Sequence, residues 1–294
     1  MISNFYKNLL IFCIVIAGVT ATNALVEADD AEKYVFRYKF HPEDVLQWEV
    51  TSRVSQLVTR GSYRENSETI SVSTKIWKVI EVDETGTAGL EYSIGDVDMR
   101  SRISQDTKVE ERKYNSKTDE TPPIEFLDVA ELLGQPIAHF TINTQGEIVK
   151  RSQKAKVAAT MQFGETSEEN RITIPMPEHA IGVGDTWDYP REIVIPQPNG
   201  TVKKVTVHEC YTLEKVQNGI ATFGFKTYVL TLLNDDKETD WALRTKIRNG
   251  TIHFNMIEGR SISQHYDVKK TVLDLPKLGQ GSASYQSRFV EKSK

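Results

Sequence analysis

The chain has 294 residues, with 36 Lys and Arg against 41 Asp and Glu, a formal net charge of -5 at pH 7, and two cysteines. This acidic balance, with no basic stripe, excludes a polyanion such as nucleic acid as the main partner, because those binders displace counterions with clustered cations. A chain of this length buries a real core without metal or disulfide support.

The first 24 residues differ from the rest. Lys7 leads into the apolar run Leu9 to Ala17, followed by the small residues Gly18, Thr20, Ala21 and Ala24. That is the pattern of a secretory signal peptide over 1–24, cut after Ala24, so the protein is expected to be exported to the periplasm or beyond the cell. The run is too short for a membrane span of about 20 residues, and no later stretch approaches one, so no transmembrane segment is expected in the mature chain. Cys13 sits behind Ile11 and Phe12, without the small residues an acylated cysteine needs. Removing the signal takes away Lys7 and no acid, for a net charge of -6, and leaves Cys210 as the one cysteine. No intramolecular disulfide is then expected, and Cys210 reads as a half-buried strand thiol.

Strand signals dominate the mature chain. Tyr34, Phe36, Tyr38 and Phe40 alternate with Val35, Arg37 and Lys39, and Leu46, Trp48, Val50, Ser52 and Val54 continue the period of two. The alternation from Ile70 slips near Trp77, and that of Leu90, Tyr92 and Ile94 changes parity after Gly95, so both places are expected to bulge. The polar stretch 100–121 reads as a long exposed hairpin or loop. Ile124 to Leu133, between Pro122-Pro123 and Gly134, reads as a short amphipathic helix, and 152–163 as a weaker one. Asn-Gly, the strongest short hairpin signal, occurs at 199–200, 218–219 and 249–250. The first and third also match the N-glycosylation pattern, which turn chemistry explains without a glycan.

Two stretches look alike. Val79 to Tyr92 and Leu213 to Phe225 each run strand, glycine turn, alanine two residues after the glycine, then an aromatic-bearing strand. Upstream lie Glu43-Asp44 with Trp48, and Gly184-Asp185 with Trp187. The expected fold is therefore mainly β and antiparallel, as two related lobes or one strongly curved, half-barrel-like sheet with one or two short helices. The expected organisation is a first lobe over 32–150, a linker over 151–174, a second lobe over 175–275 and a polar C-terminal tail over 276–294.

The opening aromatic strand, the step Thr141 to Val149, and the run Pro175, Pro177, Val183-Gly184-Asp185-Thr186-Trp187 together resemble uncharacterised secreted β-rich proteins of planctomycete-like bacteria. The resemblance covers most of the mature chain and implies an envelope or exported protein without an assigned activity. More distantly, the strand content is similar to lipoprotein-carrier half-barrels of the LolA/LolB type, from which no functional residue carries over.

Catalytic motifs are absent. Gly182-Val183-Gly184 lacks the following helix that a phosphate loop needs. The six histidines are scattered, with no metal-binding pair at helix spacing, and Asn234 to Asp240 lacks the glycine and final glutamate of a calcium loop and reads as a solvated hairpin tip. No cofactor is expected. The leading expectation is a non-catalytic protein that binds a lipid or other amphiphile on a concave sheet face, with Trp48, Trp77, Trp187, Phe223, Phe225 and Trp241 as ligand-binding residues. A structural or protein-interaction module working through edge strands is the alternative. The second alternative is a hydrolase that gathers Asp96 or Asp98 with a histidine such as His139 or His253.

Overall fold

A computed structural model describes residues 32–153, 173–197, 200–275 and 281–294. The expected signal peptide, residues 154–163 of the weaker helix and Asn199 lie outside the described residues, while Ser152 and Gln153 are strand. Fourteen strands are described: β1 (Lys33–Tyr34), β2 (Val45–Arg60), β3 (Tyr63–Val82), β4 (Ala88–Gln105), β5 (Lys108–Asn115), β6 (Pro136–Ile142), β7 (Ile148–Gln153), β8 (Ile181–Gly182), β9 (Thr186–Pro196), β10 (Val202–Gln217), β11 (Ile220–Val229), β12 (Asn249–Asn255), β13 (Arg260–Leu275) and β14 (Gly281–Ser293). Two short helices, α1 (Leu127–Leu132) and α2 (Lys237–Ala242), complete the set. The protein is mainly β, and its strand pairs are antiparallel, as expected.

Twelve strands form one open sheet in the order β7-β6-β4-β3-β2-β14-β13-β12-β11-β10-β9, with β5 alongside β4, while β1 pairs with β8. Laid flat, eleven strands would span about 50 Å. Yet Leu90 and Ile142 near one end share a single buried cluster with Tyr211 and Phe223 near the other. The sheet therefore curves around a common core, as a half-barrel. Its two halves are joined by β14, which pairs with β13 on one side and β2 on the other.

That join corrects the expected polar tail. In β14, Ala283, Tyr285 and Glu291 point inward and are buried. The strand reads as polar because Ser282, Ser284 and Gln286 face the convex side, Ser287 faces a half-open inner stretch, and Glu291 meets a buried lysine. The stretch Tyr34 to Phe40 is corrected too. Only Tyr34 belongs to a strand, and the remainder crosses the concave face, held by Tyr38 N–H to Thr144 O (2.7 Å) and Lys39 N–H to Gly259 O (3.0 Å). Its alternation reports one buried face, which a plug shares with a strand.

Local chemistry explains the turns. Asn218 and Gly219 both take positive φ (52° and 75°) and join β10 to β11 between the paired residues Gln217 and Ile220. Gly95 and Asp96 together oppose Thr74, which is the bulge expected at Gly95. Asn249-Gly250 makes no turn: Gly250 lies inside β12 between Phe225 and Tyr266, whose rings approach to 6.2 Å, and a Cβ there would strike the His265 carbonyl. The run 234–240 does not end a hairpin either. Asp236 caps α2, its carboxylate accepting from Thr239 N–H at 3.0 Å.

The two sheet halves share backbone details. Val79 donates to Asp44 O (2.8 Å) and accepts from Glu43 N–H (3.0 Å); Leu213 donates to Asp185 O (3.0 Å) and accepts from Gly184 N–H (2.8 Å). The register then skips one residue in each strand, Ile80 after Val79 and Glu214 after Leu213. Farther along, Asn143 and Asn255 each close a turn by accepting two backbone N–H groups on the side-chain oxygen.

Candidate functional site

Trp48, Trp77, Phe223 and Phe225, expected to line a cavity, instead pack into the core, none more than 6% exposed. The plug fills the space in front of them: Phe36 meets Phe223 edge-on at 5.0 Å, and Tyr38 meets Phe254 at 5.3 Å. Trp187 is partly buried, stacks on Tyr211 at 5.4 Å and donates its indole N–H to Pro175 O at 2.7 Å. Trp241 lies apart, against the small cluster of Val272, Leu275 and Ala283, with the Arg244 guanidinium 4.5 Å from its ring centre.

Charges are buried inside this aromatic half. Lys75 donates to Glu291 at 2.5 Å, and its ammonium lies 4.6 Å and 4.9 Å from the rings of Trp48 and Trp77. Glu209, 3% exposed, takes Arg191 at 2.8 Å, Arg248 at 3.4 Å and the Tyr211 hydroxyl at 3.1 Å. Between these groups lies a void of about 30 Å³, bordered by Tyr38, Glu209, Arg248, Ser261, Gln264 and Glu291. That is room for a water or two, far short of an acyl chain.

The other half of the concave face differs. Past Val50 the residues of β2 lose their strict alternation of buried and exposed. On the inner side, three cross-strand rows run Tyr285, Gln56, Ser67; Ser287, Val54, Thr69; and Phe289, Ser52, Ser71. Apart from Tyr285, which is buried, these side chains are half-buried. Among the described residues, β14, β2 and β3 make extensive backbone contacts only with neighbouring strands, and at one end Trp241 and Arg244 reach over Ala283 and Tyr285 of β14. On one flank Phe126 and Val129, the latter in α1, cover Met99 and Tyr114; on the other Leu243, just after α2, covers Val205 and Val207. What remains between them is a trough floored by hydroxyls and a valine, with Phe289 and Tyr285 along one side. Sequence reasoning missed these residues, although the run Ser67, Thr69, Ser71, Ser73 puts a hydroxyl at every second position.

The expected catalytic groupings are not assembled. Asp96 accepts from Thr74 Oγ1 (2.9 Å) and lies 3.2 Å from Lys117; Asp98 accepts from Asn115 at 3.3 Å. His253 bonds Ser263 at 2.9 Å on β12, with β3, β2, β14 and β13 between it and the β4 carboxylates. His139 is exposed and paired in register with Glu91, five residues from Asp96. Burial, and then Asp188, push the Cys210 thiol above its ordinary range, away from the thiolate form a nucleophile needs. Among the described residues, no cluster of three or more His, Cys, Asp or Glu side chains is placed to hold a metal, and no helix is long and apolar enough to cross a membrane.

No family model matches the chain, and no curated protein matches it.

Proposed function

We propose that the protein is an exported, non-catalytic envelope protein that binds a lipid or other amphiphile in the trough on β14, β2 and β3. The observation that carries this reading is the half-buried inner face between the two helical flanks, which no described helix covers at Ser52, Val54, Thr69, Ser71 and Ser287, with Phe289 beside them. Hydroxyls on a rigid sheet bond a polar head, while the valine and the aromatic side give apolar contact to a chain. The aromatic half, first expected to be the binding surface, acts as the closed core that keeps the sheet curved.

An edge-strand interaction module has less support. One sheet end, β7, is six residues long and carries Lys150 and Arg151; the other, β9, carries Pro190 and Pro196. Short, charged or proline-bearing edges resist strand addition.

The matching corners at Asp44 and Asp185, with the matching register skips, support descent of the two sheet halves from one duplicated unit. A signal peptide over 1–24 agrees with such an envelope role. Native mass spectrometry of the protein purified from an exporting host tests the binding reading. The expected result is a co-purified amphiphile that is absent from a Val54→Trp variant. Ligand-free protein that also takes up no added lysophospholipid overturns it.

A further inference from the structure

The convex face opposite the core carries a depression of about 430 Å³ across β10 to β13, within the ~300–1,000 Å³ common for small-molecule sites. Its floor is the backbone at Gly224. One cross-strand row runs Thr212, Gly224, Thr251, His265, and the next runs Cys210, Lys226, Asn249, Asp267. Glu214, the residue skipped by the register, leans over the glycine, where a Cβ would meet its carboxylate.

The lining decides the class of ligand. Two carboxylates, Glu214 and Asp267, face one ammonium, Lys226, and Asp267 is already gripped by Arg288 at 2.8 Å and 3.3 Å. Near-balanced charge gives a polyanion no purchase. Apart from Phe225, whose side chain is buried on the inner face, the apolar wall is one ring, Tyr228, 45% exposed with Lys226 Nζ 5.0 Å from its centre. That is too little for an acyl chain. What remains is a dense mixture of donors and acceptors, Thr212, Thr251, Asn249 and the two carboxylates, held at fixed spacing by paired strands, beside one exposed ring. This complements the closely spaced hydroxyls and the weakly apolar face of a sugar.

We propose that this depression binds a neutral saccharide, independently of the trough on the concave face. Gly224→Thr fills the floor at little structural cost, since the atom it meets is the end of a flexible side chain and threonine suits a strand. Asn249→Ala removes both a donor and an acceptor. Arg53→Gln, on the same convex face at β2, serves as control.

The test is calorimetric titration of the full chain with chitotetraose, maltotetraose and cellotetraose, with circular dichroism verifying the fold of each variant. The expected result is saturable binding of at least one of the three, weakened tenfold or more by Gly224→Thr and by Asn249→Ala and unchanged by Arg53→Gln. Absence of binding at millimolar sugar overturns the proposal, as does binding that survives Gly224→Thr in a folded protein. Binding of inorganic phosphate in preference to all three sugars overturns it as well.

Discussion

Asp44 and Asp185 do the same work in opposite halves of the sheet: each carbonyl accepts from the strand residue, Val79 or Leu213, after which the register skips. The residue before each takes positive φ, Glu43 at 71° and Gly184 at 96°. A glycine adopts that region without strain, whereas a glutamate is strained there by about 1 kcal/mol. Glu43→Gly is thus expected to raise stability by up to about 1 kcal/mol, and Gly184→Ala to lower it by about as much. Urea unfolding of both variants checks this; a loss of stability in Glu43→Gly would show that the corners are not equivalent.

The buried pair Lys75 and Glu291 ties β14 to β3 across β2, with side chains only 9% and 8% exposed. Glu291→Gln strands an ammonium among rings and is expected to cost about 3–5 kcal/mol. The double variant Lys75→Met, Glu291→Leu removes both charges and is expected to recover most of that loss. Thermal unfolding of the two proteins decides it, and a double variant no better than the single one counts against the pairing.

Asp236 supplies a pH dependence. Lys203 first, and then Thr239, hold its carboxyl at about 2, below the ordinary 3.8. A depressed acid stabilises the fold fully above its unfolded value, and that contribution fades as pH falls through the folded one. Asp236→Asn is therefore expected to cost about 1 kcal/mol at neutral pH. The gap to the unaltered protein should close between pH 3.8 and about 2. Melting curves across that range check it, and a gap that widens on acidification contradicts it.

Much of the fold was legible in the sequence because local chemistry dictated it. Asn218-Gly219 had the residues a two-residue hairpin requires, Gly95 marked a parity change, and Pro123 and Gly134 bracketed α1. What misled was periodicity without a partner. Phe36, Tyr38 and Phe40 alternate because one side of the segment is buried, and that pattern is blind to whether backbone groups pair in a ladder. The polar residues of β14 hid a central strand for the converse reason, since Ser282, Ser284 and Gln286 face outward and the inner positions include Ser287 and the paired Glu291. At the site, sequence composition singled out the largest rings, which are also the best core fillers. It passed over Ser52, Thr69 and Ser71, whose meaning depends on whether anything covers them.

Filling the trough separates binding from stability. Val54 joins none of the buried clusters, so Val54→Trp is expected to shift unfolding free energy by less than about 1 kcal/mol, as is usual for substitutions away from packed cores. Chemical denaturation checks this, and a loss of several kcal/mol would mean that the position is packed.

The most direct measurement is nuclear magnetic resonance of the ¹⁵N-labelled protein titrated with a lysophospholipid below its micelle concentration. Saturable amide shifts are expected at Ser52, Val54, Thr69, Ser71 and Ser287, and are expected to disappear in Val54→Trp. Shifts confined to other surfaces, or none at all in the unaltered protein, would contradict an amphiphile site on the concave face.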